Sequence, residues 1–136
     1  MPDRKPVVRM HIFTYGSLMF PEVWTRVVRG RYRSRPARLP DHVRFAVRSA
    51  SYPGIVPRPD ACVDGVLYLD VESADLALLD RFEGPEYDRR PVAVSCGEGN
   101  RIEAETYVYR DGANLTGTGW DPARFDLAGF LRQHCR

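Results

Sequence analysis

The chain has 136 residues, 43% of them hydrophobic and 28% charged, with a net charge of +2. That length and hydrophobic content predict one domain over 1–136 with its own core, and they exclude a disordered chain. A net charge so small dictates no partner by bulk attraction. No apolar run approaches the roughly 20 residues of a membrane span, and no secretory leader is visible at Met1-Pro2-Asp3-Arg4-Lys5-Pro6. Cys62, Cys96 and Cys135 form no CxxC pair. The expectation is a cytoplasmic protein with reduced cysteines, no structural zinc and no membrane association.

Residues 1–6 read as a loose tail, and Val7 to Tyr15 as a first strand. Gly16 and Ser17 turn the chain. Pro21 suits the first helical position, Glu22 suits the positive end of that helix, and Gly30 is its stop. Arg31 to Leu39 alternates with period two and predicts a strand with Arg31, Arg33 and Arg35 on one face, Pro36 marking it as an edge or as a strand end. His42–Val47 predicts another strand. Ile55-Val56 predicts a very short one, closed by Pro57, Pro59 and Asp60. Ala61 to Val71 is the strongest strand signal, and Gly65 within it marks a bulge or a close backbone approach.

Ser73 is expected to cap a helix over Ala74 to Phe82, with Asp75 in its first turn, a buried stripe of Leu76, Leu79 and Phe82, and Gly84-Pro85 as its end. Tyr87–Ser95 and Arg101–Tyr109 predict a β-hairpin around a glycine-containing gap. Asp111 to Gly119 reads as a polar loop. Asp121 and Pro122 open a last helix bearing Phe125, Ala128 and Leu131. The sum predicts an α+β fold, a small and mainly antiparallel β-barrel with short flanking helices.

One residue breaks a local rule. Glu83 is a carboxylate at a helix C-terminus, where the exposed carbonyls carry partial negative charge. The dipole and partial burial both push its pKa upward. The plain alternative is a solvated Glu paired with Arg81, Arg89 or Arg90. At the other end of the chain, the strand–turn–helix around Thr14-Tyr15-Gly16-Ser17-Leu18-Met19 gathers backbone N–H groups on one small volume, suited to a carboxylate or a developing oxyanion.

Tyr15-Gly16-Ser17-Leu18, followed by Leu79-Asp80-Arg81-Phe82-Glu83-Gly84 and Tyr87-Asp88-Arg89, resembles the γ-glutamylcyclotransferase-like (AIG2-like) family over about Ile12 to Tyr109. The resemblance implies a small barrel with a cavity between the two motifs, and release of a γ-glutamyl group as 5-oxoproline with a free amine. It matches Glu83 to the catalytic glutamate and Tyr15, Gly16, Ser17 and Leu18 to the substrate-binding loop. The partner it implies is a small-molecule γ-glutamyl substrate. No metal and no organic cofactor is expected.

That chemistry suits these residue types. The substrate's own α-amine must lose a proton to attack its γ-carbonyl, and a carboxylate can take that proton and hand it to the leaving amine. Backbone donors from Gly16 to Leu18 would hold either the oxyanion or the substrate's α-carboxylate. A non-catalytic small-molecule binding module is the main alternative. A serine hydrolase at Ser17 lacks the second glycine of a nucleophile elbow. The eight arginines from Arg26 to Arg48 read as a solvated face ahead of a nucleic-acid groove.

Overall fold

A computed structural model describes residues 9–97 and 99–135. The six strands are β1 (Arg9–Thr14), β2 (Ser34–Val47), β3 (Pro53–Glu72), β4 (Tyr87–Ser95), β5 (Arg101–Tyr109) and β6 (Leu115–Gly119). The α-helices are α1 (Pro21–Val27), α2 (Ser73–Glu83) and α3 (Leu127–His134). The predicted tail and the start of the first strand at Val7 and Val8 lie outside the described residues. No helix among the described residues is long and apolar enough to cross a membrane.

The strands lie in the order β3-β1-β5-β4-β2-β6, and β2 also pairs with β3. That extra pairing curls the sheet into a barrel-like ring of five strands, with β6 attached outside it along β2. Every pairing is antiparallel except β1 with β5. The mixed α+β reading from the sequence therefore holds.

Side-chain alternation sorts the core into two layers. Phe13, Leu39, Ile55, Val63, Leu67 and Val94 fill one cluster. Ile12, Tyr68 and Val71 pack against the helices with Val23, Trp24, Leu76, Leu79 and Phe130. Trp24 stacks on Tyr68 with ring centroids 3.6 Å apart and nearly parallel planes. This contact fastens α1 to the sheet directly after the Tyr15–Leu18 loop.

The largest departure from the expected elements is the pair of long strands β2 and β3. The sequence predicts four pieces broken at prolines; the structure has one continuous hairpin. Residues Arg31 to Arg33 lie before β2, so only Arg35 of the three arginines stands on a strand. The hairpin bends at a bulge between Pro40 and His42. Asp41 and Asp60 both adopt positive φ there, and the Asp60 N–H donates to Asp41 Oδ1 at 3.1 Å. Asp111 to Gly119 is also not a loop: a 3-10 turn leads into β6, which pairs with β2 at Val47 and Phe45. Phe125 lies between a 3-10 turn capped by Asp121 and α3, not within a helix.

Helix α2 begins one residue early, with Ser73 inside it and Glu72 at the cap position. Asp75 is in the first turn as expected, yet its carboxylate serves a different segment. It accepts the Arg29 and Gly30 N–H groups at 2.9 Å each and the Tyr32 hydroxyl at 2.6 Å, and it is buried. Burial works against the charge, but the three donors outweigh it and hold the carboxyl below its usual range. Asp75→Ala would strand those donors and is expected to cost about 3 kcal/mol, read as a lower midpoint in urea unfolding. Because the folded pKa is depressed, the stabilisation is present above the unfolded value of about 3.9 and fades as pH falls through the folded one.

Candidate active site

The end of β1 and the end of α2 meet at one mouth of the ring. Tyr15, Gly16, Ser17, Leu18 and Glu83 all line a single cleft. The two motifs, 65 residues apart from Leu18 to Glu83, are thus neighbours in the fold.

The loop is rigid for identifiable reasons. Ser17–Met19 is one 3-10 turn, closed by the Met19 N–H to the Gly16 carbonyl at 3.0 Å and the Phe20 N–H to the Ser17 carbonyl at 3.1 Å. The first N–H groups of such a turn, here those of Ser17 and Leu18, have no partner within it. Gly16 is required by crowding: a Cβ there would lie 2.9 Å from Pro53 Cδ. Arg44 Nη1 donates to the Tyr15 carbonyl at 2.8 Å, and its guanidinium lies 5.3 Å from the Trp120 ring centroid. Leu18 lines the cleft and is also part of the buried core cluster beneath the helices.

Glu83 sits opposite. The alternative ion pairs are absent: Arg89 is engaged by Asp80 and Glu105, and Arg90 by Asp88. Among the described residues, none makes a hydrogen bond or ion pair with the Glu83 carboxyl. The surrounding phenols explain why. Tyr15 donates its proton to the Tyr107 carbonyl, Tyr107 to Asp80 Oδ1 at 2.7 Å and Tyr87 to the Pro53 carbonyl at 2.7 Å. All three line the cleft, yet their protons are committed elsewhere. Removal of water raises the Glu83 pKa to about 8. Burial, reinforced by the Glu83 charge, raises those of Tyr15, Tyr87 and Tyr107. The result is a carboxyl with a raised pKa that none of these three phenols protonates or bonds.

Tyr52, Pro53, Tyr87 and Tyr107 complete the wall with Phe13 and Thr14. Of these, Thr14 and Tyr87 belong to segments singled out in the sequence. Tyr52-Pro53 reads there as a turn and Tyr107 as an ordinary strand residue. No histidine lines the cleft beside Ser17: His11 Nδ1 accepts the Asp70 N–H, and His42 Nδ1 contacts the Pro40 carbonyl. The serine-hydrolase alternative therefore has no histidine base among the described residues of the cleft.

The sequence profile of the family described as "Gamma-glutamyl cyclotransferase, AIG2-like" matches residues 12–122. "AIG2-like protein D" of Arabidopsis thaliana is 34% identical over 133 residues, spanning 92% of this chain and 87% of that protein. A solution structure of an Arabidopsis thaliana protein superposes with a TM-score of 0.73 at 26% identity, covering 97% of this chain and 81% of that one. A solved "Gamma-glutamyl cyclotransferase" shares the fold, with a TM-score of 0.66 at 23% identity over 76% of this chain and 68% of its own. The chain belongs to the AIG2-like γ-glutamyl cyclotransferase family.

Proposed function

We propose that this chain cyclises the γ-glutamyl group of a γ-glutamyl amine or γ-glutamyl amino acid, releasing 5-oxoproline and the free amine. The observation that supports it most is the Glu83 carboxyl, its pKa raised to about 8, in one cleft with Tyr15, Gly16, Ser17 and Leu18.

Glu83 takes a proton from the substrate's α-ammonium. The freed amine attacks the γ-carbonyl carbon and closes a five-membered ring. As the C–N bond to the leaving amine breaks, Glu83 returns the proton to that nitrogen. It then takes the second proton from the ring nitrogen, which keeps one hydrogen as the lactam N–H, and passes it to the departing amine, which leaves as an ammonium. The cycle is balanced with no external acid or base. The Ser17 and Leu18 N–H groups hold either the carbonyl oxygen as it gains charge or the α-carboxylate. If they serve the oxyanion, each is worth on the order of 3 kcal/mol of barrier. The tyrosine walls hold the γ-glutamyl chain bent for ring closure.

The test is a screen for 5-oxoproline release across γ-glutamyl amino acids, γ-glutamyl polyamines and γ-glutamyl side-chain amides of lysine. Turnover of at least one compound is expected. Binding of such compounds with no release would instead make the chain a binding module. A pH series adds a sharper expectation. Below about 8 the free Glu83 carries a proton, and an ammonium substrate must displace it. The ratio kcat/KM should therefore rise roughly tenfold per pH unit from 6 toward 8. An acid limb near 4.5 would mean that Glu83 is not desolvated as described.

A further inference from the structure

Two side chains that form no part of the expected site join its halves. Asp80 lies one turn before Glu83 on α2. Its carboxylate accepts the Tyr107 hydroxyl at 2.7 Å and a fork from Arg89, Nε at 2.9 Å and Nη2 at 3.2 Å. Arg89 also bonds Glu105 on β5. The Asp80 carbonyl accepts the Gly84 N–H at 3.0 Å and closes the helix directly after Glu83. Tyr107, 4% exposed, offers its carbonyl to the Tyr15 hydroxyl from the opposite side.

We propose that Tyr107 is the positioning residue of the site: its carbonyl anchors Tyr15 of the loop, and its hydroxyl, through Asp80, fixes the helix turn that carries Glu83. One residue thereby sets the separation between the backbone donors and the carboxyl. A displacement of about 1 Å in such a pair is enough to lose 10²-fold in rate. The same bond keeps the Tyr107 proton away from Glu83, which leaves that carboxyl without a donor. The groups facing Glu83 are Tyr15 at the end of β1, Tyr52 before β3, Tyr87 on β4 and Tyr107 on β5, with Glu86 behind Tyr52. Among the described residues, no cationic side chain lines the cleft. Burial and the bond to Asp80 raise the Tyr107 phenol so far that it remains a donor throughout the working pH range.

The kinetic arm of the test rests on the cyclotransferase reading; the spectroscopic arm does not. Tyr107→Phe keeps the ring and the carbonyl and removes only the hydroxyl. Carbon-13 titration of the Glu83 carboxyl, without substrate, should show its pKa falling by at least about one unit from the wild-type value near 8, as the freed turn admits water. With a turned-over γ-glutamyl amine, kcat should drop roughly tenfold or more with KM within about threefold, and the acid limb should follow the carboxyl downward. Asp80→Ala should reproduce both effects, Asp80→Asn should restore part of them, and the double variant with Tyr107→Phe should be no worse than Asp80→Ala alone. If Tyr107→Phe does not fold, the Asp80 pair decides the matter. An unmoved Glu83 titration in a folded variant, or additive losses in the double variant, overturns the proposal. A wild type that releases no 5-oxoproline removes the functional reading and leaves the titration to decide the positioning role.

Discussion

Glu83→Gln is expected to lower 5-oxoproline release by about 10³-fold, the usual loss when a general acid–base is removed, with substrate affinity within a few-fold of wild type. The amide has nearly the shape of the carboxyl, and no partner bond is lost because Glu83 has none among the described residues. Stability should move the other way. The Glu83 pKa rises from an ordinary 4.5 to about 8 on folding. Between those values the folded state holds a proton that the unfolded state releases, so this group's contribution is harmless in acid and destabilises increasingly as pH climbs to 8. The penalty at pH 9 has a ceiling of about 5 kcal/mol, and partial exposure of the side chain reduces it to a few. Melting wild type and Glu83→Gln in parallel isolates the effect from every other titrating group. The variant should match wild type near pH 5 and exceed it by roughly 5 °C or more near pH 9. Equal turnover by the variant would remove Glu83 from the proposed mechanism. An unchanged melting difference across that range would remove its desolvation.

The two results separate roles that the sequence alone leaves fused. Position predicts a shift from the helix dipole and from burial together. In the fold, loss of water is the dominant cause. What the sequence cannot supply is the reason for the carboxyl's isolation, because that depends on where three phenol protons go. Tyr15 comes from the loop after β1, Tyr87 from β4 and Tyr107 from β5, and a tyrosine in a strand is an ordinary β-former until its neighbours are known. The legible part was the pair of local oddities: a glycine turn before a helix and an acid at a helix end.

The strands show the same division. The β4–β5 hairpin is readable to the residue because its signals are local: two alternating runs and a glycine-containing gap. The prolines of β2 and β3 mislead because proline ends a strand only where its missing N–H faces a partner. Strand β1 covers β3 only from Val66 to Glu72. Pro57 and Pro59 therefore lie where β3 has a neighbour on one side alone. The polar Leu115-Thr116-Gly117-Thr118-Gly119 is a strand solely because the edge of β2 accepts it; only Leu115 is buried. Nothing in its composition announces that edge.

Gly65→Val should be strongly destabilising, although local propensity favours valine in a strand. A Cβ at position 65 would stand 2.1 Å from the Thr14 carbonyl oxygen and 2.7 Å from Phe13 Cζ. The first of these is backbone and cannot rotate aside. Thr14 is also pinned, its Oγ1 donating to the Val66 carbonyl at 2.8 Å. The Phe13 carbonyl accepts from Thr106 Oγ1 at 2.9 Å. Relief therefore requires β1 to leave β3, at a cost near the upper end for overpacked cores, about 3 kcal/mol, or roughly 10 °C in melting temperature. Gly112→Ala is the control, since nothing lies within 4 Å of a Cβ there, and it should melt within about 2 °C of wild type. A Gly65→Val protein as stable as that control would refute the close approach. The functional consequence follows from chain order. Thr14 is the last residue of β1 and Tyr15 the first of the loop, so a strand displaced at Thr14 carries the Ser17 and Leu18 donors with it. Activity per folded molecule should fall along with stability. By contrast, a destabilising change remote from the cleft, such as Asp75→Ala, should reduce the amount of folded protein and leave the turnover of each folded molecule intact.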